Sequence, residues 1–232
     1  ALNMVKSNVE LAWETMEDTF LEIQNKFHQI YKPIDTGKPD EDDETTKKES
    51  LDITDDSTLS VSPITQLLYL ARLKFYDLTP LDNLKSPFPF KNLRGKVVLI
   101  VNVASRCGFS FQYNGLEQLN KRFANDDFVL LGVPCNQFLW QEPGTNDQIV
   151  TKCKKKYDVS FQILDKINVN GEQADPVYKF LKAQKEGLWG TNRVKWNFEK
   201  FLIDKNGRVV ERYSTFTRPV AITPRIEQLL ES

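Results

Sequence analysis

Histidine is almost missing from this chain: of 232 residues, only His28 is one. That scarcity removes nucleophilic chemistry built on a cysteine–histidine pair, unless His28 folds back a long way toward the cysteines. Cysteine is scarce too. Cys107, Cys135 and Cys153 are an odd number and cannot all pair within one chain. Without close-spaced Cys/His pairs there is no zinc site, and no metal is expected. A structural disulfide framework is therefore not expected. Free thiols point to a reducing compartment, the cytoplasm with the mitochondrion as the alternative. Long apolar runs are absent, and the stretch around Val97 to Val101 falls far short of an integral membrane segment. Neither sign of charge is in excess: 31 Lys and Arg face 32 Asp and Glu, so nothing suggests nucleic acid or an anionic membrane as partner. The first residues lack the basic, apolar and small-residue order of a secretory signal. Their neutral-to-acidic character also argues against a basic organelle presequence.

What is present is the composition of a globular domain, 40% hydrophobic and 27% charged. The length suits one domain of roughly 150 residues plus additional sequence, and the composition divides near residue 74. In residues 1–33, Leu11, Trp13, Met16, Phe20, Ile23, Phe27 and Ile30 recur at helical spacing and predict an amphipathic helix. Residues 34–60 are acidic and polar, with too little apolar surface to offset the entropy of ordering, and read as a flexible linker. A short helix is expected over 64–75. Residues 1–74 thus form a helical and disordered extension, and 75–232 the main domain.

From Phe75 onward, strands and helices alternate. "GKVVLIVNVA" (95–104) and "FVLLGVP" (128–134) read as buried strands. Between them, "YNGLEQLNKRFAND" (113–126) places Leu116, Leu119 and Phe123 on one helical face. "TNDQIVTKCKKKY" (145–157) opens with a capping box, Thr145 and Gln148. Asp175 caps a helix over 175–184 with Pro176 in its first turn. A hairpin over 198–213 turns at Lys205-Asn206-Gly207, and Thr223 is expected to cap a last helix over 223–231. That order predicts an α/β fold with a central mixed β-sheet flanked by helices.

In a strand–helix–strand unit, residues at the carboxyl end of a strand meet the start of the following helix. Cys107 stands at such a place, between Arg106 and Gly108. A thiol beside a helix N-terminus and a guanidinium has its thiolate favoured, the condition for a nucleophilic or redox cysteine. The alternative is a buried structural thiol. Cys153 shares an apolar helical stripe with Ile149, Val150 and Tyr157, while Lys152, Lys154, Lys155 and Lys156 face outward. It is either a packed small hydrophobe or a second thiol that must leave its helix to meet Cys107, and spacing does not choose between them.

Three stretches, "VNVASRCGF", "GVPCNQFLWQEPG" and "KWNFEKFLIDKNG", taken in that order, resemble the signature blocks of the glutathione peroxidase family. The resemblance runs over about 75–231. It implies a thioredoxin-like fold, no metal or organic cofactor, and a four-residue peroxide site: Cys107 as peroxidatic nucleophile with Gln141, Trp196 and Asn197. The types suit the chemistry. A thiolate attacking a hydroperoxide expels an alkoxide, and two amides and an indole N–H are donors for the developing charge. Taken singly, Trp196 reads as a core or rim aromatic, Asn197 as a turn or cap residue and Gln141 as loop. By the same resemblance Cys153 matches the resolving cysteine of the non-selenium, thioredoxin-dependent members, while Cys135 is structural. The segment between Lys182 and Lys195 lacks the insertion of the tetrameric, glutathione-using relatives. Both features imply thioredoxin rather than glutathione as reductant, and a monomer or weak dimer.

Three positions depart from the family pattern: Leu139 where glycine is usual, and Phe111 and Gln162 where proline is usual. Leu139 and Trp140 add apolar bulk beside the site. A second function fits the same Cys107: a peroxide sensor passing oxidation to a partner protein, with the N-terminal segment as docking arm. A third is a non-catalytic thioredoxin-fold binding module.

Overall fold

A computed structural model describes residues 73–187 and 190–232. The helix and linker expected over 1–60 lie outside the described residues, as does the 64–75 helix up to residue 72. Lys74 is extended (φ −101°, ψ 153°) and Phe75–Asp77 is a 3-10 turn, so no helix runs through to 75.

The apolar run expected to be a strand is β1, Val97–Val103, with all seven residues buried. Burial on both faces fits a central position: β1 pairs in parallel with β2 (Phe128–Pro134) and antiparallel with β4 (Lys200–Ile203). Outside these, β3 (Gln162–Ile163) joins β2 in parallel and β5 (Val209–Tyr213) joins β4 antiparallel, giving the order β3-β2-β1-β4-β5. Among the described residues four α-helices surround the sheet: α1 (Gln112–Arg122), α2 (Asn146–Tyr157), α3 (Pro176–Gln184) and α4 (Thr223–Leu230). A parallel strand–helix–strand unit followed by an antiparallel hairpin and a closing helix is the thioredoxin-like arrangement.

The two-residue period of β1 divides the core. Val97, Leu99, Val101 and Val103 pack with Leu116 and Leu119 of α1, Ile149 and Cys153 of α2, and Ile226 and Leu229 of α4. Val98 and Ile100 face the other way, onto Phe75, Phe90 and the α3 residues Val177, Tyr178 and Leu181. Each fully buried aliphatic side chain contributes about 1.5–3 kcal/mol, so the sheet is clamped from both faces.

Local signals hold at most element ends. Thr145 and Gln148 form the capping box of α2, and the Asp175 side chain accepts from Val177 N–H to cap α3. At the hairpin, Gly207 has φ +80° and donates to the Asp204 carbonyl. Thr223, expected to cap the last helix, is instead its first residue. A 3-10 turn, Pro219–Ile222, runs straight into α4 and leaves Thr223 in helical conformation (φ −46°, ψ −52°). The sequence reading passed over β3, which is only two residues long and exists through its pairing with Leu131 and Gly132.

Candidate active site

Cys107 lies just past the end of β1. Its N–H donates to the Ala104 carbonyl (3.3 Å), closing a turn, and its own extended backbone caps the 3-10 turn Gly108–Phe111. There Sγ accepts the Phe109 N–H at 3.4 Å, and the side chain is only 3% exposed. Arg106 is exposed and contributes through its backbone: its N–H donates to the Gln141 carbonyl at 3.0 Å.

That bond ties the cysteine turn to the loop after β2. The Gln141 Oε1 in turn accepts from Asn197 Nδ2 at 2.9 Å, so three of the segments singled out from the sequence meet here. Asn197 is completely buried and its Oδ1 has no hydrogen-bond partner among the described residues. Trp196 is half-buried, its ring 5.8 Å from that of Phe138 and tilted by 52°. The segment 196–198 is pinned from β1 by Asn102, whose Nδ2 donates to the Trp196 carbonyl (3.0 Å) and whose own carbonyl accepts from Phe198 N–H (2.6 Å). On the other side, Thr215 Oγ1 donates to the Asn197 carbonyl at 2.8 Å.

A second buried group fixes the loop carrying Gln141. Glu142 is 1% exposed and accepts from both the N–H and the hydroxyl of Ser105 (2.5 and 2.6 Å), while its N–H donates to Asn136 Oδ1. Burial raises its carboxyl above the usual range, and the Ser105 bonds draw it partly back. Sequence reasoning passed over Glu142, Asn102 and Thr215. The one available signal was a glutamate inside an otherwise uncharged motif, "NQFLWQEPG".

The three thiols are free and buried. Cys153, on α2, belongs to the same core layer as Cys107, while Cys135, just after β2, packs in the opposite layer. Burial pushes the Cys153 thiol up to about 11, with the adjacent Tyr113 hydroxyl drawing it back. Cys135 is also raised by burial. Around Cys153, α2 is fastened to the cysteine turn by the Tyr157 hydroxyl on Ser110 Oγ (2.9 Å) and by the Tyr157–Tyr113 stack (centroids 4.8 Å apart). Of the twelve α2 residues only Ile149, Cys153 and Tyr157 are buried. A surface hollow of about 670 Å³ runs along the exposed face of α2, lined by Gln148, Thr151, Lys152 and Lys155; none of the four candidate site residues lines it. Among the described residues no cluster of His, Cys, Asp and Glu is arranged to hold a metal ion.

Around the end of β1, then, lies a cysteine whose sulfur receives an amide, with two bonded amide side chains and an indole on the neighbouring segments. The family model described as "Glutathione peroxidase" matches residues 75–182. A glutathione peroxidase-like peroxiredoxin of Saccharomyces cerevisiae is 55% identical over 158 residues, covering 68% of this chain and 97% of the relative. One from Schizosaccharomyces pombe is 54% identical over 156 residues, 67% of this chain and 98% of the relative. A hydroperoxy fatty acid reductase of Synechocystis is 47% identical over 150 residues, 62% and 89% of the two chains. Among solved structures, T. cruzi GPX1 superposes with a TM-score of 0.58 at 34% identity, covering 69% of this chain and 98% of that one.

Proposed function

Because the chain belongs to the glutathione peroxidase family and is a thiol peroxidase that reduces hydroperoxides, we propose that Cys107 is its peroxidatic nucleophile, assisted by Gln141, Trp196 and Asn197. The observation that carries this reading is the hydrogen-bonded convergence of Arg106, Gln141 and Asn197, drawn from three distant segments, around the turn that holds Cys107.

The Cys107 thiolate attacks the terminal oxygen of ROOH. An S–O bond forms, the O–O bond breaks, and the departing alkoxide leaves as ROH with a proton. Donors preset around that oxygen lower the barrier without reorganising. The Gln141 Nε2, the second Nδ2 hydrogen of Asn197 and the Trp196 indole N–H supply them.

The product is Cys107 sulfenic acid, which a second thiol converts to a disulfide with release of water. Cys153 is the resolving thiol in this reading, and Cys135 is not, because it packs on the other side of the sheet. A disulfide needs Cα atoms about 4.4–6.8 Å apart with facing Cβ vectors. Cys153 is fully buried inside a helix, so α2 must open to deliver it. Burial raises this thiol to about 11, so fewer thiolates form at neutral pH than for a free cysteine. Opening α2 therefore both moves Cys153 and releases it toward the thiolate.

The reductant of the disulfide is thioredoxin, and the protein works as a monomer or weak dimer. Support comes from the second thiol and from the short segment after α3. The compartment is a reducing one, the cytosol or the mitochondrion; an Arabidopsis thaliana relative, 46% identical, is named as mitochondrial. The test is peroxide consumption coupled to a thioredoxin system and, separately, to glutathione. Cys107→Ser is expected to abolish consumption. Cys153→Ser is expected to oxidise once and then stall with thioredoxin. Peroxide loss at the wild-type rate in Cys107→Ser would overturn the assignment, and undiminished turnover in Cys153→Ser would remove Cys153 from the cycle.

A further inference from the structure

Lys200 opens β4 and is completely buried, on the side of the sheet that holds Cys107 and Cys153, since it alternates with Phe201 and shares the face of Phe198 and Leu202. Its Nζ donates to Gln112 Oε1 (2.6 Å) and to the Thr217 carbonyl (2.6 Å), and to no carboxylate among the described residues. The neighbouring Glu199 is already engaged by the Arg212 guanidinium and by the Lys195 N–H. An ammonium buried against two neutral oxygens is a costly way to fill a core position, and an apolar side chain would fill it more cheaply. Such a group asks for a role.

Its bonds lead to the peroxide site. Gln112, fixed by Lys200, donates through Nε2 to the Thr215 carbonyl at 2.7 Å. The Thr215 hydroxyl donates to the Asn197 carbonyl. Gln112 is also the first residue of α1, directly after the turn capped by Cys107. The chain of bonds is thus closed. It runs from the Cys107 turn to Gln112, across to residues 215–217, and back through Asn197 and Asn102 to β1. Lys200 bonds both Gln112 and the 215–217 loop, and so reinforces the direct bond from Gln112 to Thr215.

We propose that Lys200 is a positioning residue for peroxide reduction, setting Asn197 against the Cys107 turn through Gln112 and Thr215. The inference rests on the assignment of Cys107 and Asn197 above. Phe216, carried on the same loop, is 79% exposed with its ring 5.6 Å from that of Phe109. The brace therefore also fixes an aromatic on the cysteine turn.

The test measures the rate of Cys107 sulfenic acid formation with hydrogen peroxide in a Cys153→Ser background, so that the disulfide step plays no part. Lys200→Met and Thr215→Val are each expected to slow oxidation about tenfold or more, toward the roughly hundredfold that a 1 Å misplacement can cost. Thr215→Val leaves the buried lysine untouched and guards against a fold lost with Lys200. Thr215→Ser, which keeps the hydroxyl, is expected to restore the rate. In an Asn197→Ala background, Lys200→Met should add little, because the brace acts through Asn197; general damage to the fold would multiply instead. Folded Lys200→Met and Thr215→Val proteins that oxidise at the parent rate would overturn the inference, as would full multiplication with Asn197→Ala. Failure of the underlying assignment looks different: Cys107→Ser would then consume peroxide like the parent.

Discussion

Leu139 and Trp140 occupy consecutive left-handed conformations, φ +52° and +51°, and the Gln141 N–H closes back on the Phe138 carbonyl at 3.3 Å. Two central residues with positive φ mark a type I′ turn, which favours Asn-Gly and penalises large side chains. The glycine that the resemblance implies at position 139 would suit this turn, and Leu139 occupies it at a cost. Little packing offsets that cost, because Leu139 is 66% and Trp140 77% exposed. Replacing the pair, Leu139→Asn with Trp140→Gly, is expected to stabilise the protein by about 1–2 kcal/mol, less the extra chain entropy of glycine. Melting should then rise by a few degrees, about 2–4 °C per kcal/mol for a protein of this size. A melting temperature that stays level or falls would mean that the two side chains make contributions their exposure does not suggest.

At the scale of elements, the proposed resolving role of Cys153 requires an α2 stable enough to keep it buried and weak enough to open. Three buried side chains hold it, with the Tyr157 bond to Ser110, the Asn146 bond to Asp165 and one capping box, in which Gln148 N–H meets Thr145 Oγ1 at 3.4 Å and Thr145 N–H meets Gln148 Oε1 at 3.1 Å. Elements with few buried contacts open at low free energy. Thr145→Ala removes the cap at a cost of about 1 kcal/mol, which raises the open population about fivefold. Disulfide formation after a single peroxide pulse should quicken by up to that factor, while Cys107 oxidation itself stays unchanged. A disulfide rate insensitive to the cap would show that α2 does not open before the thiols meet. This helix was largely legible beforehand: its bounds, its box and the Ile149, Cys153 and Tyr157 of its stripe are local facts of spacing, while Val150, read as part of the stripe, is only half-buried. β3 was not, because two residues carry no period of their own and become a strand only against β2. Thr223 misled for a related reason. A threonine before a proline reads as a cap, yet the 3-10 turn ahead of it had already started the helical path.

Across the whole molecule, the same division separates the site from its support. Cys107, Gln141, Trp196 and Asn197 could be named as candidates because each lies in a short motif, whereas Lys200, Gln112 and Thr215 acquire meaning only through bonds spanning as many as 103 residues. Lys200 also leaves a signature on global stability. Burial lowers its ammonium from 10.5 to about 7, with Glu199 opposing. The folded protein therefore releases this proton near pH 7, while the unfolded chain keeps it until about 10.5. Between those values the unfolded state binds more protons, so stability must rise with pH. Cys153 acts in the opposite sense and elsewhere: its pKa is raised, so its contribution is intact below 9 and is lost as pH climbs from 9 toward 11. The buried tyrosines Tyr113 and Tyr178 and the half-buried Tyr213, raised above 10 by burial, come into play higher still. Half-buried Lys182 is also lowered and adds in the same direction as Lys200, so the comparison must be between proteins that both retain it. Urea unfolding at pH 7, 8 and 9 should give a stability that rises more steeply in the parent than in Lys200→Met. Parallel profiles over that interval would mean that Lys200 stays charged in the folded protein, its ammonium held by the Gln112 and Thr217 oxygens alone.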